Sequence, residues 1–369
     1  MSFGRFLGII ISVWEGTKVN KRKPLSVTGW LAIGLAVHLT ACLSASDETK
    51  WTLAGTGNWS DPRNWTAGVP VYDSYAEINN GGTAEITAGT ADCRMLWIGR
   101  WAAEFGPGHV RQTGGRLTIR DYLSIGYSVS GSSSYVLEGM GELRCDYEYV
   151  GYQGAGTFIQ TSGDNRGTGF PFRLSVGYLS NAIGRYELSG GTLVAYEEVI
   201  GYEGSGTFSQ TSGANTTSYV IIAQESGSSG EYRISADSVL SASVILCHGT
   251  FEVLGGSASI NSRDLIFDGE LVTRVDETGI STINVSQTAS LGCGTGTWNV
   301  VDEGAPFGRF NVVVAAGGVS GGFREPRLPG PDWAWGLDGG TLWLEHIPEP
   351  ATLSLLALGG LAMIRRRRK

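Results

Sequence analysis

The chain has 369 residues, of which 56 are glycine; 41% are hydrophobic and only 17% are charged. That composition excludes a disordered polyelectrolyte, and glycine so far above the usual ~7% points to many short strands joined by tight turns. The formal net charge is -8, but from Trp51 to Ile347 there is no lysine and 16 arginines stand against 31 carboxylates, an acidic body that repels nucleic acid and anionic membrane surfaces.

Near the start, Lys21, Arg22 and Lys23 precede LSVTGWLAIGLAVHLTACLSAS. A basic n-region, an apolar h-region and small residues in that order read as a secretory signal over residues 1–45, cut near Ala45. Within it, Leu39-Thr40-Ala41-Cys42 resembles the lipobox of bacterial lipoproteins. That resemblance makes Cys42 a candidate lipidation site.

Residues 46–95 read as an N-terminal cap and first coil. WTLAGTGNWSDPRNWTAGVPVYDSYAEI, Trp51 to Ile78, carries Trp51, Trp59 and Trp65. It resembles the opening segment of large bacterial surface β-helix proteins of the autotransporter-repeat kind. The tryptophans are read as packing, since a solenoid needs its end coils covered.

Residues 96–264 repeat. VGYQGAGTFIQTSGDN from Val150 aligns without a gap with IGYEGSGTFSQTSGAN from Ile200. Within this double period an (I/V)-Gly step recurs at Ile98-Gly99, Ile125-Gly126, Val150-Gly151, Val176-Gly177 and Ile200-Gly201, and Ile222-Ala223 continues it. A period of roughly 22–27 residues with period-2 alternation means a solenoid of strands. The expected fold is all-β, a parallel β-helix with coils stacked ~4.8 Å apart. A propeller, with four strands in roughly 40–45 residues, is the alternative that the double period keeps open.

Inward positions follow from the alternation: Leu123, Ile125, Tyr135 and Leu137, then Leu174, Val176, Tyr186 and Leu188. In alternate coils the last position is glutamine, at Gln112, Gln160 and Gln210. A buried amide must be hydrogen-bonded, so these side chains either bond to backbone at a corner or lie nearer the surface. Tyr127, Tyr152, Tyr178 and Tyr202 follow the step, one per coil. They should stack into a ladder, either as packing or as candidate glycan-contact residues.

Four cysteines follow the signal, Cys93, Cys145, Cys247 and Cys293, with no Cys-x-x-Cys and hence no zinc site. Cys93 and Cys145 should lie two coils apart, too far for a disulfide; Cys247 with Cys293 is the pair to test. No histidine has a partner at ligand spacing, and no nucleophile elbow, P-loop or calcium repeat occurs. No cofactor or metal is expected. The acids Asp146, Glu148, Glu197 and Glu198 sit at corresponding places in successive double coils. A carboxylate pair suits glycoside chemistry, but repeated acids read first as a duplicated solvated edge.

Residues 265–346 read as a β-rich C-terminal cap, interrupted by a loop at Pro326, Pro329 and Pro331. The last strand is GTLWLEHI. Residues 347–369 then join Pro348-Glu349-Pro350, an apolar run from Ala351 to Ile364, and Arg365, Arg366, Arg367, Arg368 and Lys369. These three parts in order resemble the PEP-CTERM sorting signal of Gram-negative and related bacteria. The resemblance implies processing by an exosortase-type enzyme at or near the Pro-Glu-Pro, and an association with exopolysaccharide. The apolar run is expected to be a transmembrane helix that anchors the body before processing, with the arginines as the membrane stop. At 1.5 Å per residue it covers only about 21 Å of a ~30 Å hydrocarbon core.

The function expected is an exported structural or adhesive protein of the cell surface or extracellular matrix, not an enzyme. A carbohydrate-active enzyme and a glycan-binding module on the same scaffold are the alternatives.

Overall fold

The computed structural model describes residues 48–348 apart from 101–105, 129–130, 170, 236, 293–294 and 325. Parallel strands run in three ladders, which form the three faces of a β-solenoid. The first face carries the step: Ile78, Ile98, Ile125, Val150, Val176, Ile200, Ile222, Cys247, Phe267 and Leu291 pair in one column. The second face runs from Thr56–Asn58 and Thr83–Ile86 through Ala155–Gln160 to Thr297–Glu303. The third runs from residues 90–93 through Asp164–Arg166 and Ile283–Val285 to residues 313–315. The ladder starts with Glu48 beside Tyr75 and still holds at Leu291 beside Gly321. Parallel pairing therefore crosses residues 264–265 without interruption.

The step glycines make the first corner. Gly126, Gly151, Gly177 and Gly201 have φ of 68°, 74°, 77° and 77°, a region costly to any residue with a Cβ. Each step N–H donates to the step carbonyl one coil earlier, as from Gly177 to Val150 O at 2.9 Å and from Gly201 to Val176 O at 2.7 Å. Ala223 occupies the same corner at φ 58° and donates to Ile200 O at 2.8 Å. Ala223→Gly is expected to raise stability by about 1 kcal/mol by removing that strain. A urea midpoint at or below that of the parent chain would show that the corner is unstrained.

The core fills with the inward columns. Leu123, Ile125, Tyr135, Leu137, Leu174, Val176, Tyr186 and Leu188 are all fully buried. Down the second face Tyr135, Phe158, Tyr186, Phe208, Tyr232 and Phe251 stack ring on ring, with centroids 4.7–5.5 Å apart. At the start Trp51, Trp59 and Trp65 pack edge to face at 5.1 and 4.8 Å and are buried, which agrees with their reading as packing. At the end the ladder turns antiparallel: Thr341–His346 pairs with Gly308–Ala315 and with Trp333–Asp338. Leu342, Leu344 and Trp333 then cover the last coil.

One part of the expected fold is corrected. Among the described residues no helix is long and apolar enough to cross a membrane; the helix present is a three-residue 3-10 turn at Pro62–Asn64. The C-terminal transmembrane helix, and membrane attachment through it before processing, are withdrawn. The physical reason lies in length, since a run from Ala351 to Ile364 falls short of the hydrocarbon core. Residues 349–369 lie outside the described residues, as do the signal segment and Cys42.

Candidate functional site

The sorting motif leaves the body directly from the closing strand. His346, the last residue of that strand, lies flat on Trp333 with ring centroids 4.5 Å apart and 2° between planes. Its Nε2 is 3.1 Å from Asp332 Oδ2 and its Nδ1 is 3.1 Å from Ala305 O. The Ile347 N–H donates to Asp332 O at 2.7 Å. The next residue, Pro348, is exposed. Folded structure thus runs up to the first residue of Pro-Glu-Pro, and Glu349, Pro350 and Arg365 to Arg368 lie outside the described residues.

The outer tyrosine ladder forms as the spacing implied. Tyr127 and Tyr152, Tyr152 and Tyr178, and Tyr178 and Tyr202 stack at 4.8, 5.4 and 5.1 Å, within 26° of parallel. Tyr149 packs against Tyr152 and Tyr178 at 5.3 and 4.7 Å. Ring faces that lie on one another are unavailable to a sugar. A ligand meets ring edges, and at the Tyr127 end Arg100 lies over the ring, 5.8 Å from its centroid.

The four acids part company. Pairing puts Glu148 and Glu198 on either side of Leu174 in one inward column, and both are fully buried. Burial pushes each carboxyl up to about 8, and the hydrogen bond from an asparagine opposes this. The solvated-edge reading is therefore corrected for these two. Glu197 stays outside and faces Arg173 at 3.2 Å. Asp146 accepts from the Thr168 and Gly169 N–H groups at 3.0 and 3.2 Å. It shapes a turn.

The glutamines do what a corner needs. Gln112, Gln160 and Gln210 are fully buried. The Nε2 of Gln160 donates to Gly163 O and Thr192 O at 3.4 and 2.9 Å. Gln112 bonds Gly115 O and Glu142 O, and Gln210 bonds Gly213 O and Val239 O, in the same way. Each Oε1 accepts from the tyrosine of the next coil, Tyr135, Tyr186 or Tyr232. The backbone alternative of the sequence reading is the one realised.

Asn165 and Asn215 were missed. They replace leucine in the third-face column Leu143, Asn165, Leu193, Asn215, Leu240 and are fully buried. Each joins a glutamate of the first face to a tyrosine of the second. The signal was present in the aligned Asn of SGDN and SGAN, but it needed the column to give it meaning.

Cys93 and Cys145 stand on either side of Ile119 in one column, two coils apart as expected. They and Cys247 are buried, and burial pushes all three thiols up, so they behave as small hydrophobes. Cys293 lies outside the described residues. Among the described residues no group of three His, Cys, Asp or Glu could hold a metal ion. An open groove of about 460 Å³ crosses the coils where the third face turns into the first. Ser241, Ser243, Asn261, Arg263, Asn284 and Ser286 line it.

Compared with known proteins, residues 346–369 match the PEP-CTERM protein-sorting motif. No curated protein and no solved structure matches the chain. A sorting motif that begins at the last residue of the antiparallel strand closing a three-faced parallel ladder makes this chain a PEP-CTERM-tagged β-solenoid protein of the cell surface or extracellular space.

Proposed function

We propose that this protein is a non-enzymatic structural or adhesive rod, sorted by an exosortase-type enzyme and lodged against exopolysaccharide outside the cell. The observation that carries this reading is the unbroken ladder. Its strands bond coil to coil from Glu48 to Gly321, and its repeated glutamines point inward, where they hold corners together. Stiffness, rather than a surface reaction centre, is what that pattern supports. The carbohydrate-active alternative loses the pairs it relied on, because Glu148 and Glu198 are sealed in the core.

Glycan contact is the second reading. The groove at Ser241, Asn261 and Asn284 favours it, because hydroxyls and amides at coil spacing match a hydroxyl-rich chain lying along the axis. The outer tyrosines enter by their edges. The test is co-sedimentation of the full chain with extracellular polysaccharide from its own cells. Asn261→Ala with Asn284→Ala is expected to lower the retained fraction several-fold, and Tyr152→Ala with Tyr178→Ala to lower it less. Retention unchanged by either pair rejects polysaccharide contact at these surfaces. New reducing or unsaturated sugar ends in the same incubation would make the protein an enzyme.

A further inference from the structure

The hydrogens of the buried rung can be counted. Asn165 Nδ2 has two, which go to Glu148 Oε2 at 3.0 Å and Tyr186 Oη at 3.1 Å. The Tyr186 hydroxyl donates to Gln160 Oε1 at 2.7 Å. Gln160 Nε2 spends its two on Gly163 O and Thr192 O. Every side-chain donor of this rung is used. Two buried acceptors remain with none, Glu148 Oε1 and Asn165 Oδ1.

The rung at Glu198 repeats this account independently. Asn215 Nδ2 donates to Glu198 Oε2 at 3.0 Å and Tyr232 Oη at 3.1 Å. Tyr232 donates to Gln210 Oε1 at 2.8 Å, and Gln210 to two carbonyls. The acceptors left over are Glu198 Oε1 and Asn215 Oδ1. A leftover pair on the same two side chains, twice, calls for one donor per rung. A proton on the glutamate supplies it without added volume, giving the two-bond pairing of a carboxylic acid with a primary amide.

We propose that Glu148 and Glu198 are neutral carboxylic acids in the folded protein, each donating its proton to the amide oxygen of the asparagine in its own rung, and that loss of these protons loosens the solenoid in base. The groups facing Glu148 do not oppose this. Tyr135 and Tyr186 face it from the second face and Cys145 from the third, and burial holds all three well above their ordinary range, so they are uncharged. Glu198 faces Tyr186 and Tyr232, which are uncharged for the same reason. Leu123, Leu174 and Val220 complete the column.

The sign follows from proton linkage. The unfolded chain releases these protons near the ordinary carboxylate value of 4.5, and the folded chain holds them to about 8. Between those values the folded state binds more protons, so stability is full below the lower one and falls as pH rises through the upper. Glu77, raised to about 7 by burial, adds a slope of the same sign. It is common to parent and variant and cancels in their difference.

The experiment is urea unfolding of the full chain and of Glu148→Gln/Glu198→Gln from about pH 5 to about pH 9. Glutamine reproduces the donor and acceptor of the neutral acid. The variant is expected to match the parent midpoint closely at the acid end and to lose most of the parent's fall toward base, so that it becomes the more stable of the two. A variant less stable by a constant shift at every pH would overturn the proposal, since water or a cation would then be serving ionised carboxylates. Should the double variant not fold, each single variant is measured in the same way. Infrared spectra of the parent and the double variant with labelled glutamate give a second reading near pH 7. A protonated-acid carbonyl band present in the parent and missing from Glu148→Gln/Glu198→Gln supports the proposal, since Glu77 contributes equally to both; identical bands in the two overturn it.

Discussion

Gly184→Ala is expected to destabilise the solenoid by about 3–5 kcal/mol, more than any other single methyl group considered. Gly184 lies in an extended strand, so the cause is space rather than φ. A Cβ there would sit 2.1 Å from Val150 O and 2.3 Å from Gly177 N. Those two atoms are bonded to one another at 2.9 Å, as the hydrogen bond that joins one step to the next. The methyl group would therefore part a buried donor from its acceptor, and no side-chain rotation can relieve a clash with backbone. The same crowding recurs at Gly156, Gly206 and Gly230. Because each coil is supported by its neighbours, the damage should spread beyond one corner. Gly55→Ala is the control, since nothing lies within 4 Å of a Cβ there; its change should stay within about 0.5 kcal/mol. Urea unfolding of the two variants decides it, and near-equal midpoints would refute the account of the corner.

Gln160→Leu is expected to cost about 2–4 kcal/mol despite conserving volume. Leucine fits the column, where Leu137 and Leu188 flank Gln160. What it lacks is the amide. Thr192 O would lose its bond from the amide, Gly163 O would keep only the Thr192 N–H at 3.0 Å, and the buried Tyr186 hydroxyl would lose its acceptor. Adding Tyr186→Phe should recover about 1–2 kcal/mol by removing the stranded hydroxyl. Phe158 and Phe208 already hold the neighbouring places in that stack. Recovery stays incomplete because Asn165 Nδ2 then loses one acceptor. A double variant no more stable than Gln160→Leu alone would mean that the hydroxyl finds another partner.

These two positions show why the repeat doubles. A coil with Glu148, Phe158, Gln160 and Asn165 alternates with one carrying Leu174, Tyr186, Leu188 and Leu193. The tyrosine of the apolar coil reaches back to the amide of the polar one. One coil cannot satisfy its own glutamine, so the chemical unit spans two coils and the sequence repeats over both. The outer arginines add little to this arrangement. Pairs such as Arg116–Glu142 and Arg274–Glu303 cross between coils near the surface, where water screens them.

Strand periodicity, the step, the inward leucines and the tyrosine ladder were legible in the sequence, because in a parallel stack each is a local pattern repeated at a fixed interval. The sorting motif was legible for a related reason: its three parts are contiguous. The fate of Glu148, Glu198, Asn165 and Asn215 was not. Glutamate and asparagine ordinarily mark surface, and only a register that closes three faces around one axis brings a residue from each to the same buried point. The sequence by itself determined the solenoid and its sorting tag; the tertiary structure alone decided which polar groups are sealed inside, because solvation depends on neighbours that lie a whole coil away along the chain.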